Sequence, residues 1–355
     1  MANNGSKYIY AGAGHWVEGG TRKAGGLFRR SPGDGEWQAL SAGLPENVEA
    51  RALAVHPSEP GVMYVGTQDG PYRTSDGGEH WERLSFPERG AVVWSIAFHP
   101  TRPQVIYVGV APIGIYRSED GGDTWKKLAG AKSPGHCEMG FPARVTRIAV
   151  DPGAPDDVYA ALEVSGVIRS ADGGETWTDL SAPLIKLADN PQLKSRIGSD
   201  IDAEGMLDSH ALAVSAAASG TGFLAVRMGL FRSDDRGASW HDMQIGRFSP
   251  LTYCRDVIVA PHDPRVMYAC LSVSARGNDG SLYRSEDVGQ TWRRFDHGVK
   301  ARATMMAVAA HPRDAGRVYC VSRCGQVFGT EDAGGSWREY LLPDGVQDVY
   351  TVACA

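Results

Sequence analysis

Apolar and polar residues alternate in short runs along nearly the whole chain. The stretches "ALAVH" from Ala52, "VVWSIAF" from Val92, "VTRIAV" from Val145 and "HALAV" from His210 each end in a turn rich in Pro, Gly or Ser. A period of two places successive side chains on opposite faces, which predicts β-strands. A second apolar run follows ("MYVG" from Met63, "IYVG" from Ile106), then a third that ends in arginine ("PYRTS" from Pro71, "GIYRS" from Gly114). A short fourth run begins at a tryptophan. Each unit therefore predicts four strands, A to D, and helical spacing is confined to the region around 184–197.

The joint between strands C and D repeats most clearly. "RSEDGGDTWKKL" from Arg117 recurs as "RTSDGGEHWERL" from Arg73, "RSADGGETWTDL" from Arg169, "RSDDRGASWHDM" from Arg232, "RSEDVGQTWRRF" from Arg284 and "GTEDAGGSWREY" from Gly329. A worn seventh copy, "RSPGDGEWQAL", starts at Arg30. Four antiparallel strands repeated at roughly 45 residues predict a propeller, in which each blade buries its faces against its neighbours. The first unit opens on a strand B ("YIYAGAG", 8–14), and the chain finishes on a strand A ("DVYTVACA", 348–355). The expected fold is thus all-β: one seven-bladed propeller closed by the C-terminal strand completing the N-terminal blade. The blades span about 347–355 plus 6–40, then 49–84, 93–128, 144–180, 210–243, 254–295 and 303–340. The segment 181–209 is left over as a partly helical insertion, a lid or wall.

In the repeated turn, the Asp and the preceding Ser/Thr can bond backbone amides, Gly supplies a left-handed residue, and Trp packs back into the blade. Asp76, Asp120, Asp172, Asp235, Asp287 and Asp332 are accordingly expected to be turn staples; six equivalent carboxylates around a ring cannot converge on one substrate. The pattern S/T-x-D-x-G-x-[ST]-W resembles the Asp-box, or BNR repeat, of sialidases, xyloglucan-active glycosidases, sortilin receptors and a photosystem II assembly factor. That resemblance covers nearly the whole chain and implies the propeller fold, but these families do different things on one scaffold.

Composition narrows the setting. The 355 residues carry a net charge of −6, with no basic footprint for nucleic acid. No apolar run is long enough to cross a membrane, and the N-terminal residues lack the order of a signal peptide. Six scattered cysteines read as reduced thiols. A cytoplasmic protein with a small-molecule substrate is the expectation.

Strand order places the Asp-box turns on one face of the disc and the B–C and D–A loops on the other, where any site should sit. The longest of these loops are 12–26, 129–144 and 181–209. His56, His99, His262 and His311 fall at A–B turns on the Asp-box face, whereas His15, His136, His210 and His297 fall on the loop face. Carboxylates accompany the second group: Glu18, Glu138, Asp200, Asp202, Glu204 and Asp208. If those four imidazoles converge, they could hold one divalent transition metal, Zn, Fe or Mn; otherwise they are surface-loop histidines. Arginines form a second group. Arg51 and Arg255 share a register at the start of strand A, Arg144 and Arg302 precede two others, and Trp94 occupies the equivalent place in a third blade. Guanidiniums around a channel mouth suit a carboxylate or phosphate, unless each is consumed by a nearby acid such as Asp256 or Asp348.

Three functions follow as expectations. The first is an enzyme acting on a small anionic substrate by hydrolysis, with His15, His136, His210 and His297 on a metal, Arg51, Trp94, Arg144 and Arg255 on the substrate, and Glu138 or Asp208 as base. The second comes from the resemblance: a sialidase-like or xyloglucanase-like glycoside hydrolase. It implies paired carboxylates, for which Asp69 looks like the xyloglucanase residue, or a tyrosine nucleophile, for which Tyr253 and Tyr350 stand ready. The third is a protein-binding or assembly scaffold.

Overall fold

A computed structural model describes residues 8–14, 25–33 and 35–355. It is a ring of seven four-stranded antiparallel sheets. Blade 1 combines the last strand, Val349–Cys354, with Ile9–Ala13, Gly26–Arg30 and Gln38–Leu40. The terminal strand pairs with Ile9–Ala13 in the register Ile9↔Cys354 and Ala11↔Val352, so the chain closes its own ring as its alternation predicts. The innermost strands of blades 2 to 7 are Ala52–Val55, Val92–Phe98, Val145–Val150, Ser209–Val214, Tyr253–Val259 and Met305–Ala310. Outermost strands such as Glu82–Arg83 and Lys126–Lys127 are two exposed charged residues long, which leaves little edge for another chain to pair with.

Blades press together where glycine removes a side chain. A Cβ on Gly66 would come within 2.5 Å of Val93 Cγ1 in the next blade, and one on Gly109 within 2.5 Å of Val145 Cγ1. This close approach explains the glycine that ends "MYVG" and "IYVG".

The repeated Asp staples its turn. Ser118 Oγ donates to Asp120 Oδ1 at 2.8 Å and accepts from Gly122 N–H at 2.8 Å. Asp120 also accepts from the Thr124 amide (2.9 Å) and hydroxyl (2.6 Å), and Trp125 Nε1 returns to Gly122 O at 2.9 Å. These bonds, led by the Thr124 hydroxyl, hold the exposed Asp120 carboxyl down to about 2. The same Ser/Thr–Asp pairing recurs at Asp76, Asp172, Asp235, Asp287 and Asp332. The turn also receives the preceding blade. Tyr10 and Arg29 donate to Gly77 O, Tyr64 and Arg73 to Gly121 O, and Tyr107 and Arg117 to Gly173 O, at 2.7–3.0 Å. The repeated Tyr of strand B and Arg of strand C are thus blade-to-blade latches.

Helix in the insertion is shorter than the spacing around 184–197 predicts. α1 covers Ala182–Leu187 and α2 covers Glu204–Leu207. Asn190 is extended ahead of Pro191, whose ring disfavours a helical residue before it, so α1 cannot run on. Leu184, Ala188, Leu193, Ala203 and Met206 instead pack on blades 4 and 5, beside Tyr159, Leu212 and Phe231. The loop between the helices is anchored by Glu204, whose buried carboxylate accepts from the amides of Ile197, Gly198 and Ser199 and from the Ser199 hydroxyl at 2.7–2.9 Å.

Three of the A–B histidines are turn caps. Nδ1 of His56 accepts from Glu59 N–H at 3.1 Å, that of His99 from Thr101 and Arg102 N–H at 3.2 and 3.1 Å, and that of His311 from Arg313 N–H at 3.2 Å. Only an unprotonated Nδ1 can accept. Burial first, and then Arg102 for His99 and Arg317 for His311, lowers the pKa of both rings. A depressed histidine stabilises the fold above its unfolded pKa of about 6.5 and loses that contribution as pH falls through the folded value. Thermal midpoints should therefore fall between about pH 6.5 and 5, before the carboxylates titrate. A His99→Asn variant should show a shallower fall; an equal slope in wild type and variant would refute the assignment.

Candidate functional site: the mouth of the central channel

Each innermost strand begins with an irregularity that turns one side chain into the channel. The ladder slips at Trp94, Thr146, His210, Arg255, Met306 and Tyr350, each lying between two residues that pair with adjacent partners on strand B. In blade 2, Arg51 stands at the same place, and its amide donates to Gly66 O, which also faces Ala52. A β-bulge re-aims the residue it contains. Six bulges and the start of the blade 2 strand thus present seven side chains, and all seven line a cavity of about 120 Å³. The cavity opens at the D–A ends of the strands, opposite the Asp-box turns. Its volume is well below the ~300 Å³ at which drug-sized pockets begin, so it suits a small ligand.

The floor is ionic. Arg147 of blade 4 reaches Asp256 of blade 6 at 2.6 Å, and Asp256 also accepts from Val257 N–H (3.0 Å) and Val308 N–H (3.1 Å). On one wall, Arg51 and Arg144 stack on Trp94 at 4.4 and 3.8 Å from its ring centre, and Trp94 meets Tyr350 edge-on at 5.2 Å. Arg51 pairs with Glu49 and Arg144 with Glu163. Burial raises the Tyr350 pKa, with Asp348 adding to it, and the guanidiniums of Arg51, Arg144 and Arg255 pull against it.

The opposite wall carries proton-transfer groups. His210 Nδ1 lies 2.7 Å from Cys254 O, while Nε2 faces Asp208 Oδ2 at 3.3 Å and the Tyr253 hydroxyl at 3.2 Å. The carbonyl can only accept, so Nδ1 carries a proton and Nε2 is the nitrogen that faces Asp208 and Tyr253. Burial would raise the Asp208 pKa, but His210, Arg227 and Arg255 carry it down to about 2. Burial raises Tyr253 to about 12, keeping it a neutral donor. Glu163 goes the other way from Asp208: burial pushes its carboxyl up in spite of Arg144. Burial disfavours the Arg255 charge, yet Tyr253, Asp208 and Glu163 together raise its pKa.

Of the residues singled out from the sequence, Arg51, Trp94, His210 and Arg255 line the cavity, Arg144 stacks behind Trp94, and Asp208 supports His210. The rest lie elsewhere. His136 binds Asp179 at 2.6 Å, on the outermost strand of blade 4, because the 129–144 loop folds outward where Cys137 packs on Val164 and Leu207. Glu138 on that loop and His297 after blade 6 are exposed, and His15 lies outside the described residues. Among the described residues, no three His, Cys, Asp or Glu side chains are grouped to hold a metal ion. Asp69 sits between Arg83 and Tyr72 at the rim of blade 2.

Sequence reasoning missed Thr146, Met306, Arg147, Glu163 and Arg227, and named Asp256 only as an acid that could consume an arginine. Thr146 and Met306 could have been found by aligning all seven innermost strands on the residue equivalent to Arg51. Glu163 follows a strand B, where nothing in the local pattern distinguishes it from an exposed turn acid.

No family model matches the chain. Vacuolar protein sorting/targeting protein 10 of Ajellomyces capsulatus is 34% identical over 67 residues, and that of Mycosarcoma maydis 34% over 65. These matches cover 19% and 18% of this chain and 4% of each relative. Among solved structures, the GH74 xyloglucanase from Xanthomonas campestris superposes with a TM-score of 0.66 at 17% identity, over 97% of this chain and 52% of that one. A GH74 enzyme from Niastella koreensis gives 0.61 at 16%, over 85% and 46%. YCF48 bound to a D1 peptide gives 0.52 at 12%, over 83% of both chains. At these identities the likeness is one of fold. The chain spans about half the length of the two GH74 enzymes and a small fraction of the sorting proteins.

Proposed function

We propose that the protein is an enzyme that acts on a small anionic substrate at the channel mouth, by hydrolysis. The observation that carries this reading is a set of three guanidiniums at the mouth: Arg51 and Arg255 line the cavity with Tyr350, and Arg144 stacks on the cavity-lining Trp94. Guanidiniums bind carboxylate and phosphate oxygens through paired hydrogen bonds, and partial burial strengthens the attraction. The neutral Tyr350 hydroxyl adds a further donor. Across the cavity, His210 is oriented by Cys254 O and Asp208 and lies beside the neutral Tyr253 hydroxyl, which offers the site an acid–base group. Asp208, held near 2, is too weak a base to act by itself at neutral pH; it positions His210. Among the described residues only His210 of the four histidines reaches the mouth, so the chemistry assigned is proton transfer and anion stabilisation.

A second reading has its own support. Two neighbouring carboxyls with opposite pKa shifts, Glu163 up and Asp208 down, are what glycoside hydrolysis asks of its acid and its base, and GH74 enzymes share the fold. One screen separates the readings: phosphate monoesters, aryl esters of dicarboxylic acids, sialosides and neutral aryl glycosides. Turnover of an anionic class is expected, with kcat/KM lower by about 100-fold or more in a folded Arg255→Met variant. Turnover of neutral glycosides alone would transfer the assignment to the second reading. Peptide binding without turnover of any substrate would sink both in favour of a scaffold.

A further inference from the structure

Glu163 sits where a free acid is not expected. It ends strand B of blade 4 in the tight turn after Val158–Leu162, is 9% exposed, and pairs through Oε1 with Arg144. Its second oxygen, Oε2, is buried and has no hydrogen-bond partner among the described residues. An ionised carboxylate with one bare buried oxygen is costly, whereas a proton on that oxygen removes the charge and breaks no bond. The groups that act on Glu163 are Arg144 from the loop before blade 4, Asp208 at the end of α2 and Arg255 from blade 6. Arg144 is also the guanidinium stacked on Trp94, a wall of the cavity. The same cation therefore pairs with Glu163 on one side and stacks on a cavity-lining ring on the other.

We propose that Glu163 is a positioning residue of this site: anion binding at the mouth is coupled to uptake of one proton on Glu163 Oε2, which frees the charge of Arg144 for the ligand. This rests on the anion-binding reading above and deepens it. With Glu163 ionised, Arg144 is neutralised from behind and an incoming anion meets the carboxylates of both Glu163 and Asp208. With Glu163 protonated, Arg144 adds to Arg51 and Arg255. Linkage makes the coupling reciprocal, so a bound anion raises proton affinity at Glu163 and a proton raises anion affinity. One coupled proton limits the effect to about tenfold in affinity per pH unit.

Two measurements test this on the full-length protein. Sulfate keeps its charge across the range, so calorimetric titration with sulfate from pH 5 to 8 reads the protein's own groups. Affinity should fall as pH rises, and the Glu163→Gln variant should bind with a slope flatter by about one proton. In the ligand-free protein, carboxyl ¹³C NMR, assigned with the same variant, should show Glu163 titrating above the exposed glutamates. An unchanged slope in Glu163→Gln, or a Glu163 resonance that titrates with the exposed glutamates, would overturn the proposal. Absence of sulfate binding at every pH would count against the anion-binding reading, and the NMR titration would still decide the state of Glu163.

Discussion

Removing residues 348–355 is expected to abolish the sharp unfolding transition. Val349–Cys354 is the innermost strand of blade 1, held to Ile9–Ala13 by a ladder broken only by the bulge at Tyr350, with Tyr8 and Ala355 exchanging backbone bonds at 3.2 Å beyond it. Val349, Tyr350, Val352 and Cys354 are buried in one cluster with Tyr319 and Val321 of blade 7. Burial of a side chain of this kind stabilises by about 1.5–3 kcal/mol, so four of them contribute roughly 6–12 kcal/mol. That matches the whole net stability of an ordinary domain, about 5–15 kcal/mol. The deletion also opens the ring, leaving blade 7 and the remainder of blade 1 with bare faces. Calorimetry and dye binding should report a broad transition and exposed apolar surface. A truncated chain that melts sharply at the wild-type temperature would show that ring closure is dispensable.

Asp256→Ala should be the most damaging single substitution in the channel. Asp256 is 2% exposed and joins three blades, through Arg147 of blade 4, its own strand in blade 6 and Val308 of blade 7. Alanine removes the acceptor for two buried amides and leaves Arg147 facing the channel without its anion. A buried amide left without its acceptor costs about 1–3 kcal/mol, and two are left here; the part-exposed Arg147 adds less. Asp256→Asn keeps an oxygen for the amides and should lose visibly less. Urea unfolding of the two variants distinguishes them. Equal and small losses would mean that the cross-channel contact does not support the ring.

Much of the architecture was legible in the sequence, for a physical reason. A strand buried on one face and packed on the other carries its period openly, and a turn that needs a carboxylate, a hydroxyl, a left-handed glycine and an indole at fixed spacing repeats them wherever the turn repeats. "RSEDGGDTWKKL" predicted Asp120 as a turn staple, and its hydrogen bonds to Ser118 and Thr124 are those of a staple. The start-of-strand register likewise brought Arg51, Trp94, His210 and Arg255 together, because equivalent places in equivalent blades must face one axis.

Loop residues did not follow from the same logic. His136 and Glu138 share a long loop on the face opposite the Asp-box turns, yet the direction of that loop depends on where Cys137 finds Val164 and Leu207, contacts that no local pattern encodes. Glu163 and Asp208 lie 45 positions apart in the chain, and only the folded ring puts both within reach of Arg255 and gives them opposite proton affinities. The sequence by itself determined the blade, its number of copies and the face on which a site can lie, since these rest on periodicity and on short-range turn chemistry. The tertiary structure alone decided which charges meet at the mouth and which of them keep a proton, since both depend on burial and on neighbours brought in from other blades.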